Sequence, residues 1–254
     1  MVDLDDLAHT PVLLVALDFD GTLAPLVDVP SEARMGAQAR QAIDRLAALP
    51  DTHVALVSGR MLADLKLVSE YDPESRLLLA GSHGAQLHLP SGYEAPPLAH
   101  PSPEVATFSD DLAEALSALD NVWVERKPYG FVVHTRLATE HGTTHAHAIL
   151  DGFARDRLHG WRRRGGHDVV EYSERAEGKD GAVHALRAAV GATAVLFAGD
   201  DETDEDALRA LQPTDLGVRV GGGSTAATLH VADAAEMADL LTRLADLRTR
   251  NQSS

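Results

Sequence analysis

The chain has no cysteine, which excludes a disulfide framework, a thiolate zinc site and a thiol nucleophile. Aromatic residues make up only 4% of it, and lysine occurs three times, at Lys66, Lys127 and Lys179. Positive charge is scarce altogether: 22 Lys and Arg stand against 39 Asp and Glu, a net charge of -17. A chain of that sign has no basic face with which to hold nucleic acid phosphates or an anionic membrane surface. Long hydrophobic runs are missing too, since none approaches the roughly 20 apolar residues that cross a bilayer. The acidic opening Met1-Val2-Asp3-Leu4-Asp5-Asp6 lacks the basic and apolar regions of a signal peptide. These absences lead to the expectation of a soluble, cytoplasmic protein.

What is there begins with two short apolar runs that each end in carboxylates. Val12-Leu13-Leu14-Val15-Ala16-Leu17 stops at Asp18-Phe19-Asp20-Gly21-Thr22, and Ala194-Val195-Leu196-Phe197-Ala198 stops at Gly199-Asp200-Asp201-Glu202-Thr203-Asp204. Read as buried strands, they set acidic groups in the crevice beyond strand carboxyl ends. Strand alternation puts Asp18 and Asp20 on one side, and Gly21 lets the backbone turn away. Converging carboxylates need a cation, and a hard oxygen-ligand ion such as Mg²⁺ is the natural occupant.

At 254 residues and 44% hydrophobic, the chain can bury one sizeable core plus a small second domain. Strands at 12–18, 53–57 and 77–80 alternate with helices at 36–49 and 60–69, the pattern of a parallel sheet covered by helices. Five prolines between 90 and 103 then mark a linker. Beyond it the pattern changes to a helix at 104–119, strands at 121–126 and 131–136 joined by Pro128-Tyr129-Gly130, a helix at 139–157 and a strand at 168–172. Two strands around a tight turn make an antiparallel hairpin. Strand–helix alternation resumes at 179 and runs to 247, followed by a polar tail. The fold class is therefore α/β: a Rossmann-like parallel-sheet core with helices on both faces, residues 1–97 and 179–254, carrying an inserted α+β cap, residues 98–178.

This arrangement suits hydrolysis of a phosphate monoester, where a nucleophile must approach an already anionic phosphorus. Asp18 is the expected nucleophile, forming an aspartyl-phosphate, and Asp20 the acid that protonates the leaving oxygen and later activates water. Mg²⁺ would be held by Asp18, Asp200 and the backbone carbonyl of Asp20. Ser58-Gly59-Arg60, after the run Val54-Ala55-Leu56-Val57, offers a hydroxyl and free N–H groups to an anion at a strand-to-helix turn. Lys179 supplies positive charge. In a chain that otherwise defaults to arginine, a retained lysine points to a need for a compact ammonium.

These four segments, in this order, resemble the motifs of the haloacid-dehalogenase-like superfamily of phosphohydrolases. Within it the chain is similar to trehalose-6-phosphate phosphatases: Gly199 through Asp206 matches their extended acidic motif, and Gly81-Ser82-His83-Gly84 their glycine-histidine-glycine segment. Glu125-Arg126-Lys127 with Val132-Val133-His134-Thr135-Arg136 matches their cap hairpin, and Val170-Glu171 their cap exit. The resemblance implies that Gly21, Thr22, Gly59, Arg60 and His83 contact substrate. It further implies that Glu125, Lys127 and Glu171 bind sugar hydroxyls when the cap closes, and that Asp201 and Asp204 brace the metal site. The partner is then a small sugar phosphate, with trehalose 6-phosphate favoured, and no oligomeric state is specified. Gln86 stands where the family usually has Glu, which keeps another glycosyl or pseudo-disaccharide phosphate open. Also open are a phosphomutase, which uses the same first motif, and a catalytically silent sugar-phosphate-binding regulatory domain.

The remaining features read as structure. Thr203 is the expected cap of a helix, Arg162-Arg163-Arg164 a solvated turn, and Gly221-Gly222-Gly223 with Ser224 a helix-cap signal. His141, His145 and His147 form a surface cluster, because no carboxylate pattern accompanies them. Gly178-Lys179-Asp180 lacks the residues of a P-loop.

Overall fold

The computed structural model describes residues 2–94, 100–166, 168–175 and 178–252. The chain opens with α1 (Leu4–His9), β1 (Leu13–Leu17), α2 (Ala37–Ala48), β2 (Thr52–Val57), α3 (Leu62–Val68), β3 (Leu78–Gly81) and β4 (Gln86–His88). Then come α4 (Glu104–Leu116), β5 (Trp123–Lys127), β6 (Gly130–His134), α5 (Glu140–Arg157), β7 (Arg162–Gly166) and β8 (Val169–Ser173). It ends with α6 (Lys179–Val190), β9 (Ala194–Gly199), α7 (Asp204–Arg209), β10 (Leu216–Val220), β11 (Leu229–Val231) and α8 (Ala234–Gln252). Two compact units result, residues 1–97 with 177–254, and residues 98–176. Part of the expected proline-rich linker, residues 95–99, lies outside the described residues.

In the first unit seven strands form one sheet in the order β11-β10-β9-β1-β2-β3-β4, parallel except for the β3–β4 pair. The central strand β1 is buried along its whole length. Leu13, Val15 and Leu17 pack with Leu7 of α1, Ile43 and Leu46 of α2, and Leu241 and Leu244 of α8. Leu14 and Ala16 meet Ala182 and Leu186 of α6 and Ala207 and Leu208 of α7 on the other face. A strand covered on both faces has no use for polar alternation, which is why it reads as an unbroken apolar run.

The second unit is a four-stranded antiparallel sheet, β5-β6-β8-β7, with two helices. Phe131, Val133, Val170 and Tyr172 pack with Leu112 and Leu116 of α4 and with Ala146 and Leu150 of α5. Alternation sends Trp123, Glu125, Lys127, His134, Arg164 and Glu171 to the opposite face.

The structure corrects several local expectations. Arg162-Arg163-Arg164 is not a solvated turn but part of β7, with Arg163 opposite Tyr172 and Arg164 opposite Glu171. Pairing with β8 defines this strand, and its own side chains carry no apolar alternation. The polar tail is the end of α8, where Arg248 is fully buried and donates to Thr52 Oγ1 at 2.6 Å and to the Asp51 and Thr10 carbonyls at 2.8 and 2.9 Å. The glycines at 221–223 and Ser224 start no helix; the chain crosses from them to β11. Helix α1 and strand β4 are additions. Among the described residues, no helix is long and apolar enough to cross a membrane.

Candidate active site

Strand β1 lies between β9 and β2, and the chain builds outward from it in both directions. That makes the carboxyl ends of β1 and β9 a topological switch point, where a doubly wound sheet opens a crevice. Asp18 follows β1, and its N–H donates to the Ala198 carbonyl at 2.9 Å, carrying the ladder one residue past the strand. Asp200 follows β9. Ser58 follows β2 and is tied to β3 through its N–H and the Ala80 carbonyl, at 2.9 Å.

Lys179, the first residue of α6, projects into this cluster and is 2% exposed. Its Nζ donates to Asp18 Oδ1 at 2.6 Å and to Asp204 Oδ1 at 2.7 Å. Asp204 is fully buried, and its Oδ2 accepts from the amides of Asp200 and Asp201, both at 3.0 Å. It thus clamps the lysine and the loop after β9 together. Asp201 caps α7 in place of Thr203: its Oδ1 accepts from the Thr203 amide, the Thr203 hydroxyl and the Asp204 amide. The Thr203 side chain itself caps no amide.

Two glycines make the approach possible. Gly21 has φ +82°, and a Cβ there would lie 2.1 Å from Asp200 Oδ2. A Cβ at Gly199 would lie 2.1 Å from Asp204 Cγ. Both loops close on the carboxylates because these positions lack a side chain.

Asp20 is not among the oxygens that Asp18, Asp200 and Asp204 bring together. Its carboxylate accepts two hydrogen bonds from Arg60, Nε to Oδ2 and Nη2 to Oδ1, each at 2.6 Å. Arg60 and Asp20, both expected to work on substrate or metal, are here paired with each other. Ser58 is buried and its Oγ accepts from the Arg60 amide at 3.1 Å. The His83 ring packs on Gly59, where a Cβ would lie 2.7 Å from Nε2. Ser82 and His83 both have positive φ, 49° and 54°. Thr22 is fully buried, so its hydroxyl is not offered to solvent. Gln86 Oε1 accepts from the Leu62 amide at 3.0 Å and the Ser82 hydroxyl at 3.1 Å, which gives the departure from the family's Glu a local job at the start of α3.

Burial pushes Asp18 up to about 7; Lys179 pulls the other way, and Asp201 and Asp200 add to the rise. Burial likewise lifts Asp200 to about 6, with Asp201 and Asp204 adding to it. Burial opposes charge on Lys179, but Asp18 and Asp204 overcome it and hold the ammonium's pKa well above its usual value. Carboxylates crowded to this degree are short of positive charge even with a lysine among them. One oxygen each from Asp18, Asp200 and Asp204 lies within 4.8 Å of the others, an all-oxygen set that fits a hard divalent cation. Asp204 is the most heavily engaged of the three, accepting from Lys179 Nζ and from two amides, so Asp18 and Asp200 have more acceptor capacity left for the ion.

In the second unit the polar sheet face is knitted together. Glu125 accepts from Lys127 Nζ at 2.6 Å and from His134 Nε2 at 2.8 Å. The Trp123 indole, 43% exposed, stacks on the His134 ring at 4.6 Å between centroids and 2° between planes. Arg164 lies 3.6 Å from Glu171. Trp123, His134 and Arg164 were not legible as candidates, because only strand register gathers them beside Glu125, Lys127 and Glu171.

The trehalose-phosphatase family model matches residues 16–237. The trehalose-phosphate phosphatase of Mycolicibacterium paratuberculosis is 34% identical over 255 residues, an overlap of 94% of this chain and 63% of the relative. The chain therefore spans less than two thirds of that relative's length. A crystal structure described as a trehalose-6-phosphate phosphatase related protein superposes with a TM-score of 0.72 at 25% identity, covering 94% of this chain and 99% of its own. The C-terminal domain of the C. albicans trehalose-6-phosphate phosphatase reaches a TM-score of 0.79 at 20% identity, with 96% and 95% covered, a likeness of fold. The family match over most of the chain agrees with the carboxylates and lysine gathered at the switch point, and the chain belongs to the trehalose-phosphatase family.

Proposed function

We propose that this chain is a Mg²⁺-dependent phosphatase that releases inorganic phosphate from a sugar phosphate, with trehalose 6-phosphate as its substrate. The observation that carries the reading is the buried Lys179 ammonium on Asp18 Oδ1 at 2.6 Å, with oxygens of Asp18 and Asp200 within 4.8 Å of each other. A carboxylate so held is oriented for attack. Asp18 forms a bond to phosphorus as the bond from phosphorus to the sugar oxygen breaks, and Asp20 gives that oxygen a proton. Asp20 then takes a proton from the water that attacks the aspartyl-phosphate, releasing phosphate and restoring Asp18. Lys179 offsets negative charge on Asp18 and on the phosphoryl oxygens throughout. Mg²⁺ held by Asp18 and Asp200, with the Asp20 carbonyl, would supply further charge neutralisation at the phosphoryl group. Glu125, Lys127 and Glu171 offer carboxylates and an ammonium to sugar hydroxyls, and Ser58, Gly59 and His83 line the phosphate side.

Phosphate release from trehalose 6-phosphate, compared with a panel of other sugar phosphates with and without Mg²⁺, tests the reading. Turnover should require the ion and favour trehalose 6-phosphate. Asp18→Asn should lower kcat by about three orders of magnitude or more with the fold intact by circular dichroism. A product that keeps its phosphate would point to a mutase, and tight binding without release to a silent binding domain.

A further inference from the structure

The Arg60–Asp20 fork is a two-bonded pair, 15% and 29% exposed, joining the loop after β1 to the loop after β2. Both ends are anchored. The Arg60 amide donates to Ser58 Oγ, and its carbonyl accepts from the Ser82 amide at 2.6 Å. Ser82 is in turn held by Gln86. On the other side the Gly21 amide closes on the Ala24 carbonyl at 2.8 Å, fixing the turn that carries Asp20. The positive φ values at Ser82 and His83 belong to the same scaffold. Such conformations persist where the surroundings over-determine them.

A fork of this kind fixes the direction of a carboxylate as well as its place, which a lysine's single rotating ammonium does not. It uses one acceptor site on each oxygen, and a carboxylate has about four, so lone pairs remain for a further partner. From this geometry we infer that Arg60 is a positioning residue for leaving-group departure: its guanidinium aims the Asp20 carboxylate at the sugar oxygen. The inference rests on the proposed phosphatase reading and deepens it. It departs from the expectation that Arg60 acts on the substrate directly.

The two roles separate by leaving group. A sugar alkoxide needs a proton to leave, whereas p-nitrophenolate departs readily without one. Loss of a phosphate-binding cation lowers kcat/KM for both substrates alike; loss of Asp20's alignment penalises the sugar phosphate selectively. With kcat/KM measured for the best sugar phosphate and for p-nitrophenyl phosphate, Arg60→Ala should lower the sugar-to-aryl ratio by about tenfold or more. Arg60→Lys, which keeps the charge and the alkyl stem, should leave the ratio depressed, and added guanidinium ion should raise it in Arg60→Ala. In the double-mutant cycle, Arg60→Ala should add no further loss of ratio to Asp20→Asn. An equal fall for both substrates, full recovery by Arg60→Lys, or additivity with Asp20→Asn would overturn the inference. A wild-type protein that hydrolyses neither substrate would instead overturn the phosphatase reading.

Discussion

At the scale of single residues the site depends on atoms that are not there. A methyl group at position 199 would sit 2.1 Å from Asp204 Cγ, and Asp204 is the group that holds both Lys179 and the amides of Asp200 and Asp201. Gly199→Ala should therefore displace that clamp, costing about 1–3 kcal/mol in urea unfolding and lowering kcat/KM for phosphate release by about tenfold or more. At Gly222 a methyl group meets nothing within 4 Å, so Gly222→Ala should stay within about 0.5 kcal/mol of wild type. The acidic motifs were legible because each sits at the end of an apolar run, where the sequence itself marks the strand tip. The partners were not: that Asp20 turns to Arg60 and that Gln86 caps α3 depend on which loops the sheet order makes adjacent. No spacing along the chain encodes that.

At the scale of elements, legibility followed how far a segment's own pattern determines it. Strands β1, β2 and β9 announce themselves through burial on both faces, and α5 through length and an N-terminal Thr139 cap. Strand β7 does not, since its arginines form a strand only against β8, and the last turns of α8 look like a tail until Arg248 finds its carbonyl partners. The polar face of the cap sheet makes a test of pairing across strands. Burial would raise Glu125 from its usual 4.5, but the hydrogen bonds from His134 and Lys127 win and hold it down to about 2. A carboxylate depressed in the folded state stabilises it above pH 4.5 and loses that contribution as pH falls toward 2. In urea unfolding at neutral pH, Glu125→Gln should be about 1–2 kcal/mol less stable than wild type, a figure discounted for partial exposure. That gap should close as pH is lowered through the same window.

At the scale of the whole molecule, an acidic chain of charge -17 gathers Asp18, Asp200 and Asp204 at the switch point of its larger unit. Asp18 near 7 and Asp200 near 6 hold protons in the folded state that the unfolded chain, with carboxylates at 3.8, has already released. The folded state therefore binds more protons across that interval, and this contribution to stability falls as pH rises from 3.8 toward 7. A divalent cation competes with those protons for the same oxygens, so its binding should strengthen as they leave. Ligand binding to the native state alone adds about 2.7 kcal/mol when the ion is present at about a hundred times its Kd. Scanning calorimetry with and without Mg²⁺ should show a rise in Tm that is larger at pH 8 than at pH 5.5. Asp200→Asn should shrink that rise at pH 8, because a side chain of the set that could hold the ion loses its charge. A Tm increment that is independent of pH, or that survives Asp200→Asn undiminished, would move the cation away from the switch point.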